Sequence, residues 1–400
     1  LLFYKCYRIN DDRNKKMEKL VTSNFKLGII AGGQLGKMLI QEAGKWDVIS
    51  YVMDKDENCP ARTVATHFIK GSNTDFDAVY NFGKMVDMLT YEIENINIEA
   101  LKKLKSEGHI VLPDPENLEL IQDKGKQKIF YQENNIPTAA FKFYASINDI
   151  LKAIEENEIR FPFVQKLRKG GYDGRGVAVI NTKDDLGKLL EGASVIEQKV
   201  EIDKEIAVIT ARNKKGEIRC FPVVEMMFDP DANLVDKLIC PSAISDEQSE
   251  KAVQMAGNII ELLNMQGLLA VEFFIDNAGN VLVNEVAPRT HNSGHHTIES
   301  VITSQFEQHL RAIFNLPLGS TKLKLPAVMI NILGGEGYEG PVKYEGLTEI
   351  MALEGLKIHL YGKRITKPFR KMGHVTILSD TLESALEKAD TVKQLIKVKS

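Results

Sequence analysis

Short apolar runs of β type alternate with longer amphipathic stretches over the first third of the chain. Lys26–Ala31, Asp47–Met53 and Val86–Tyr91 read as buried strands, and Lys37–Lys45 as a helix entered through the tight turn 32–36. Strands alternating with helices predict a parallel sheet of the doubly wound type. This first unit is expected to close near Pro113–Pro115. A helix over Leu118–Asn134 follows, then strands at Phe161–Leu167, Val177–Ile180, Val195–Val200, Glu205–Arg212 and Glu217–Met227. Asp246–Leu263 has the pattern of an amphipathic helix. Two apolar runs, Leu268–Ile275 and Val281–Val286, flank Asp276-Asn-Ala-Gly-Asn280, which is strong turn chemistry for a hairpin. A helix from about 298 to 314 leads to a small last region, with strands at Val328–Ile332 and His374–Leu378 and a helix over Thr381–Leu395.

The expected class is therefore α/β, α+β in parts. It divides into an extension at 1–25, a doubly wound domain at 26–115, a central domain at 116–320 with a mobile lid near 140–200, and a small β-rich domain at 321–400. Leu1–Lys16 lacks the features of a secretory signal, and Met17 would make a natural start, so the extension is expected to be disordered.

Composition narrows the partners. A net charge of −4 over 400 residues gives no bulk attraction to nucleic acid. No apolar run approaches the roughly 20 residues of a membrane span. Cys6, Cys59, Cys220 and Cys240 lack metal spacing and read as reduced thiols of a cytoplasmic protein.

Six segments carry candidate chemistry. In a hairpin centred between Ala278 and Gly279, Glu272 and Glu285 fall opposite each other. Opposed like charges repel, so a cation is expected between them. Mg²⁺ suits carboxylate oxygens and substrate phosphates, and Asn284 adds a neutral oxygen. The alternative is two solvated glutamates, which the apolar strands disfavour. Next, the turn Gly32-Gly-Gln-Leu-Gly36 could present N–H groups to an anion. Ala31 stands where a full dinucleotide fingerprint needs glycine, yet Asp54 falls near the place of a ribose-binding acid, so an NAD-dependent oxidoreductase competes on this segment.

The loop Lys169–Gly176 is half glycine, follows Lys166, and suits a flap over a polyphosphate. Glu197-Gln-Lys-Val200 with Glu205 could hold an adenine edge and ribose hydroxyls, although alone these are ordinary strand residues. Arg289-Thr-His-Asn-Ser-Gly-His-His296 and Arg364–His374 concentrate cations and histidines. For the first, anion binding fits better than a transition metal, because no cysteine accompanies the histidines and Arg289 adjoins them; the second suits a phosphate monoester, with a solvated basic face as the alternative.

Together these residues resemble the ATP-grasp superfamily, and within it the family of 5-(carboxyamino)imidazole ribonucleotide synthases. The resemblance covers about Lys26–Ser400 and rests on Gly32–Gly36, Gly170-Gly-Tyr-Asp-Gly-Arg-Gly176, Pro222-Val-Val-Glu225, Asn284–His295 and Arg370-Lys-Met-Gly-His374. It implies an ATP-grasp fold and an ATP-dependent carboxylation of 5-aminoimidazole ribonucleotide by bicarbonate, through carboxyphosphate, in purine synthesis. It also implies a homodimer.

For ATP the resemblance implies Lys124, Lys166, Gly171, Tyr172, Asp173, Gly174, Arg175, Gly176, Val177, Glu197, Gln198, Lys199, Val200, Glu205, Phe228, Asn284 and Glu285. Glu272 and Glu285 would hold Mg²⁺. Gln34, Leu35, Tyr172, Asp173, Arg289, His291, Arg364, Arg370 and Lys371 would bind the ribonucleotide or bicarbonate. Asp173, Arg175, Arg289, His291 and Lys371 would serve catalysis, the histidines lining the carboxylation site. Three departures stand out: Lys124 where the family usually has arginine, Phe228 where many members have histidine, and Ala31 for the first glycine. A formate-using glycinamide ribonucleotide transformylase or a biotin carboxylase would share the hairpin but not the last two blocks.

Overall fold

The computed structural model describes residues 23–171, 176–229 and 234–400. The expected disordered stretch at 1–16 lies outside the described residues, but Phe25, assigned to the extension, is buried in the first core.

Five parallel strands run in the order His67–Lys70, Ile49–Asp54, Lys26–Ile30, Met88–Tyr91, Ile110–Val111. Helix Gln34–Gly44 packs on one face with helix Gln305–Ile313; helices Phe76–Lys84 and Ile98–Ser106 pack on the other. The first strand has neighbours on both sides, so the topological switch falls at its carboxyl end. That end is the turn after Ala31.

A four-stranded antiparallel sheet occupies the span expected as a lid, in the order Phe141–Tyr144, Ser194–Gln198, Phe163–Leu167, Val177–Ile180. A second antiparallel sheet has nine strands. Its path runs Val281–Ala287, Gly267–Asp276, Ile202–Arg212, Val224–Asp229, Leu234–Cys240, Ala327–Leu333, Lys371–Leu378, Leu356–Leu360, with the ninth strand, Ile218–Cys220, paired to Ile202–Arg212 off that path. The last three strands on the path belong to the C-terminal region. Its β-rich domain is thus continuous with the central sheet, joined where Leu234–Cys240 pairs with Ala327–Leu333. Helix Asp246–Leu262 backs the central strands and starts at a capping box of Ser245 and Gln248.

Two expected elements are divided. The single helix at 118–134 is two, Pro115–Gln122 and Lys124–Glu133. Asp123 leaves helical geometry, and its carboxylate accepts the N–H groups of Gly125 and Lys126, so a new helix begins at Lys124. The strand expected at 217–227 is also two, Ile218–Cys220 and Val224–Asp229, with Pro222 between them. Among the described residues no helix is long and apolar enough to cross a membrane.

Candidate active site

The paired glutamates owe their alignment to a defect in the hairpin. Asp276 accepts the N–H groups of Ala278 (3.0 Å) and Asn280 (2.8 Å), and Gly279 sits at φ +84°. From this turn Ile275 pairs with Val281, Phe274 with Leu282 and Phe273 with Val283. Unbroken, that register would place Asn284 opposite Glu272. The register shifts at this point, so Asn284 and Glu285 both oppose Glu272 and the glutamates pair. The expected pairing holds, but the turn is centred on Ala278 and a bulge corrects the offset. On the next strand Ala207 pairs with Glu272, which puts Glu205 on the same face.

Lysines meet these carboxylates. Lys124 donates to Glu285 Oε2 at 2.7 Å. Lys166 donates to Asn284 Oδ1 at 2.8 Å and pairs with Glu197 Oε2 at 3.0 Å. Lys128, one helical turn after Lys124, pairs with Glu197 Oε1 at 3.0 Å and donates to Thr138 at 2.6 Å. Lys124 holds Glu285 well below the usual carboxylate range. Burial pushes Glu272 up, and Glu285 and Glu205 push it further. Burial also raises Glu205 to about 7, with Glu285 adding to it. Glu197 is buried, yet Lys166 and Lys128 outweigh that and keep it low. Burial lowers Lys128 to about 8.

Among the described residues no group of three or more His, Cys, Asp or Glu could hold a metal ion. A hard divalent cation needs fewer protein ligands, because one or two carboxylates plus water or phosphate suffice for magnesium. Glu272, Asn284 and Glu285 supply oxygens of that kind, and the cost of ionising Glu272 beside Glu285 is what such a cation would remove.

The glycine loop is tied to the cluster at its base. Arg168 grips Asp123 through Nε (2.9 Å) and Nη2 (2.8 Å), and its carbonyl accepts the Lys124 N–H at 2.9 Å. At the other end Leu167 N–H donates to Gly176 O at 2.8 Å, and Val177 pairs with Lys166. Gly171 lies at the described edge of the loop, while Tyr172, Asp173, Gly174 and Arg175 lie outside the described residues. Gln198 is exposed at the end of its strand, and Lys199 and Val200 follow half-buried. Phe228 is half-buried against the apolar cluster of Ala207, Val224 and Met226.

Beyond the hairpin, Arg289 pairs with Glu94 at 2.6 Å. Gln305 clamps the next residues: its Oε1 accepts the His291 N–H at 2.9 Å and its Nε2 donates to His291 O at 2.8 Å. The His291 Nδ1 is engaged within its own turn, by the Ser293 Oγ at 2.9 Å and the Ser293 N–H at 3.4 Å, which turns Nε2 toward the carboxylates. That nitrogen faces Glu272 Oε1 at 3.6 Å. Burial, then Arg289 and Lys371, lower the ring to about 3, so it is neutral. His295 and His296 do not line this site. Both are fully buried, and His296 Nδ1 is bonded to Ser300 Oγ at 2.8 Å. Lys371 is close enough for its charge to act on His291, whereas Arg364 is exposed and Arg370 donates to Ile365 O in its own turn at 2.6 Å. The structure does not bring those two arginines to the carboxylates.

The turn at 32–36 carries its own anions. Asp54 accepts the Gly32 N–H at 2.7 Å; Glu92 accepts those of Gly33 at 2.7 Å and Gly36 at 2.8 Å. Asp54 is thereby committed to the turn, which removes the ribose role that favoured an oxidoreductase. Burial raises Glu92 to about 7. Leu35 is buried in the first core, so only its backbone can meet a ligand, while Gln34 is half-buried at the helix start. Lys128, Glu92, Gln305 and the Asp123–Arg168 pair were not expected from sequence. Only Lys128 had a readable signal, its four-residue spacing from Lys124.

Paired carboxylates met by lysines from the base of a glycine-rich loop fit the ATP-grasp class, and the comparisons show it. The ATP-grasp domain family matches residues 129–306, preceded by the ribonucleotide synthetase preATP-grasp domain at 25–122. The phosphoribosylaminoimidazole carboxylase C-terminal domain matches 327–388. The N5-carboxyaminoimidazole ribonucleotide synthase of Bacillus subtilis is 38% identical over 90% of this chain and 93% of its own. The chloroplastic phosphoribosylaminoimidazole carboxylase of Vigna aconitifolia is 37% identical, and the chain spans 65% of that protein's length. The crystal structure of N5-carboxyaminoimidazole ribonucleotide synthetase from Thermotoga maritima superposes with a TM-score of 0.86 at 45% identity, covering 94% of this chain and 99% of that one. This chain belongs to the N5-carboxyaminoimidazole ribonucleotide synthase family.

Proposed function

We propose that the protein uses Mg²⁺-ATP and bicarbonate to carboxylate 5-aminoimidazole ribonucleotide, giving 5-(carboxyamino)imidazole ribonucleotide, ADP and phosphate. The reading places it in the cytoplasm, as a homodimer, at a step of de novo purine synthesis. The observation that carries it is the bulge that sets Asn284 and Glu285 against Glu272, with Arg289, His291 and Lys371 continuing from the same sheet.

ATP lies under the lid. Lys166 and Lys124 meet its phosphates, the loop ending at Gly176 and Val177 covers them, and Glu197 to Val200 with Glu205 hold the nucleoside. Glu272, Asn284 and Glu285 hold the cation, which when bound offsets phosphate charge during transfer. A bicarbonate oxygen attacks the γ-phosphorus, the bond to ADP breaks, and carboxyphosphate forms. Neutral His291 acts here as a donor through Nε2–H to the carboxyl oxygens, rather than as a base. Arg289 and Lys371 add positive charge for the bicarbonate and the ribonucleotide. The ribonucleotide amine, or CO₂ released in the site and then taken up by that amine, completes the C–N bond and frees phosphate. Asp173 and Arg175 are assigned to this step from the family pattern.

Bicarbonate labelled with ¹⁸O tests the route. One labelled oxygen per turnover is expected in the phosphate released. Product formed with unlabelled phosphate would overturn the carboxyphosphate step.

A further inference from the structure

Behind the loop that carries His291, three imidazoles form a column that the chemistry above does not use. The His295 and His374 ring centroids are 4.7 Å apart at 20°, and those of His374 and His359 are 4.4 Å apart at 11°. Hydrogen bonds pin two of the rings: His374 Nδ1 to the Tyr361 hydroxyl at 3.0 Å, and His359 Nε2 to Glu299 Oε1 at 2.7 Å. His295 also stacks on Phe306 with centroids 6.3 Å apart.

The rings come from two places in the fold. His295 ends the turn that begins at His291, whereas His359, Tyr361 and His374 belong to the C-terminal edge of the sheet, where His359 and His374 are direct cross-strand partners. The column is therefore the joint between the central loop and the C-terminal strands. Four residues before His295 stands His291, and three before His374 stands Lys371. Lys371 stands close enough to both His291 and His295 for its charge to act on them.

Near-parallel rings less than 5 Å apart cannot aim lone pairs at one cation, so the column is no metal site. Nor is it an economical filler. His295, His374 and Tyr361 are buried, and buried imidazoles cost more than aliphatic side chains of similar size. What flat stacked rings supply, and branched aliphatics do not, is a fixed spacing and tilt.

We propose that His295 and His374 are positioning residues whose stacking sets Lys371 opposite His291 for the ribonucleotide. This rests on the proposed function. The test compares His374→Leu with His374→Phe by steady-state kinetics in each substrate. Leucine removes the stack and should raise the KM for the ribonucleotide by roughly tenfold or more, the scale of a small misplacement of a binding group. The KM for ATP should stay within about twofold. Phenylalanine keeps a flat ring and should restore the ribonucleotide KM to within about threefold of the parent. An unchanged ribonucleotide KM in His374→Leu, or equal rises for both substrates, would overturn the proposal. If the leucine variant does not fold, His374→Phe and His295→Leu decide. A tenfold rise in His374→Phe, or no selective rise in His295→Leu, would be the contradicting result. Failure of the parent protein to turn over the ribonucleotide at all would instead strike the proposed function.

Discussion

Glu285 shows how one residue's role depends on its neighbours' charges. Lys124 keeps it ionised while burial and Glu285 itself push Glu272 up, so the pair carries a charge imbalance that a divalent cation would relieve. Glu285→Gln removes one of two anionic ligands and should cut ATP turnover by roughly 10²–10³-fold, the scale of losing one preorganised electrostatic group. Circular dichroism should show a retained fold, and unchanged turnover would refute the metal assignment. Ala31 offers a test of stability instead. It sits at φ +73°, in the left-handed region. Relief of that strain is worth about 1–2 kcal/mol, and the added freedom of glycine in the unfolded chain returns about 0.4–1. Ala31→Gly should therefore raise urea stability by roughly 0.8 kcal/mol, the difference between the midpoints of those two effects. The glutamate pair was legible because carboxylates on apolar strands are conspicuous. Glu92 was not, because the backbone N–H groups it satisfies come from residues 59 and 56 positions away.

At the scale of elements, the break at Asp123 links lid to site. Asp123 caps the helix that starts with Lys124 and holds Arg168 at the base of the glycine loop. Asp123→Ala should cost about 1–2 kcal/mol for the lost cap, measured by urea titration. It should also weaken ATP binding, measured by calorimetry, because both Lys124 and the loop lose their anchor. A stability loss with unchanged ATP affinity would show that the two functions are separate. The apolar periodicity of 118–134 reads as one helix, since Asp123 falls between apolar positions without interrupting them. The strand break at Phe221–Val223 is similar, although Pro222 was the warning there. The hairpin bulge leaves no pattern at all. It is a property of how the strand pairs, and the right pairing emerged only because an offset turn and an extra residue cancel.

For the whole molecule, the central and C-terminal strands form one sheet, so domain boundaries drawn from sequence do not separate the site's parts. The missing link was Leu234–Cys240, a strand that pairs on one side with the neighbouring Val224–Asp229 and on the other with Ala327–Leu333, far along the chain. Its lysine and aspartate obscure the apolar run. The packing also sets a pH response. Burial drives His291, His295, His296, His309 and His374 below their usual range, with His296 and His309 at about 4. Both states are neutral above about pH 6.5, so the histidines cost nothing there. As pH falls from 6.5 toward 4, the unfolded chain takes up protons that the folded one refuses, and stability is lost. Glu92, Glu205 and Glu272 act oppositely, since raised carboxyls lose stability as pH rises from about 4.5 to 7. Five histidines outweigh three carboxyls. Urea unfolding should show a net loss on the order of a few kcal/mol between pH 6.5 and 4.5; constant stability over that range would contradict the buried neutral rings.

The most direct test of the central claim is ADP release from Mg²⁺-ATP, with bicarbonate and 5-aminoimidazole ribonucleotide omitted in turn. The expected result is full turnover only with both, and a carbamate of the ribonucleotide as product. Comparable turnover with formate and glycinamide ribonucleotide, or ADP release indifferent to the aminoimidazole ribonucleotide and to bicarbonate, would contradict it.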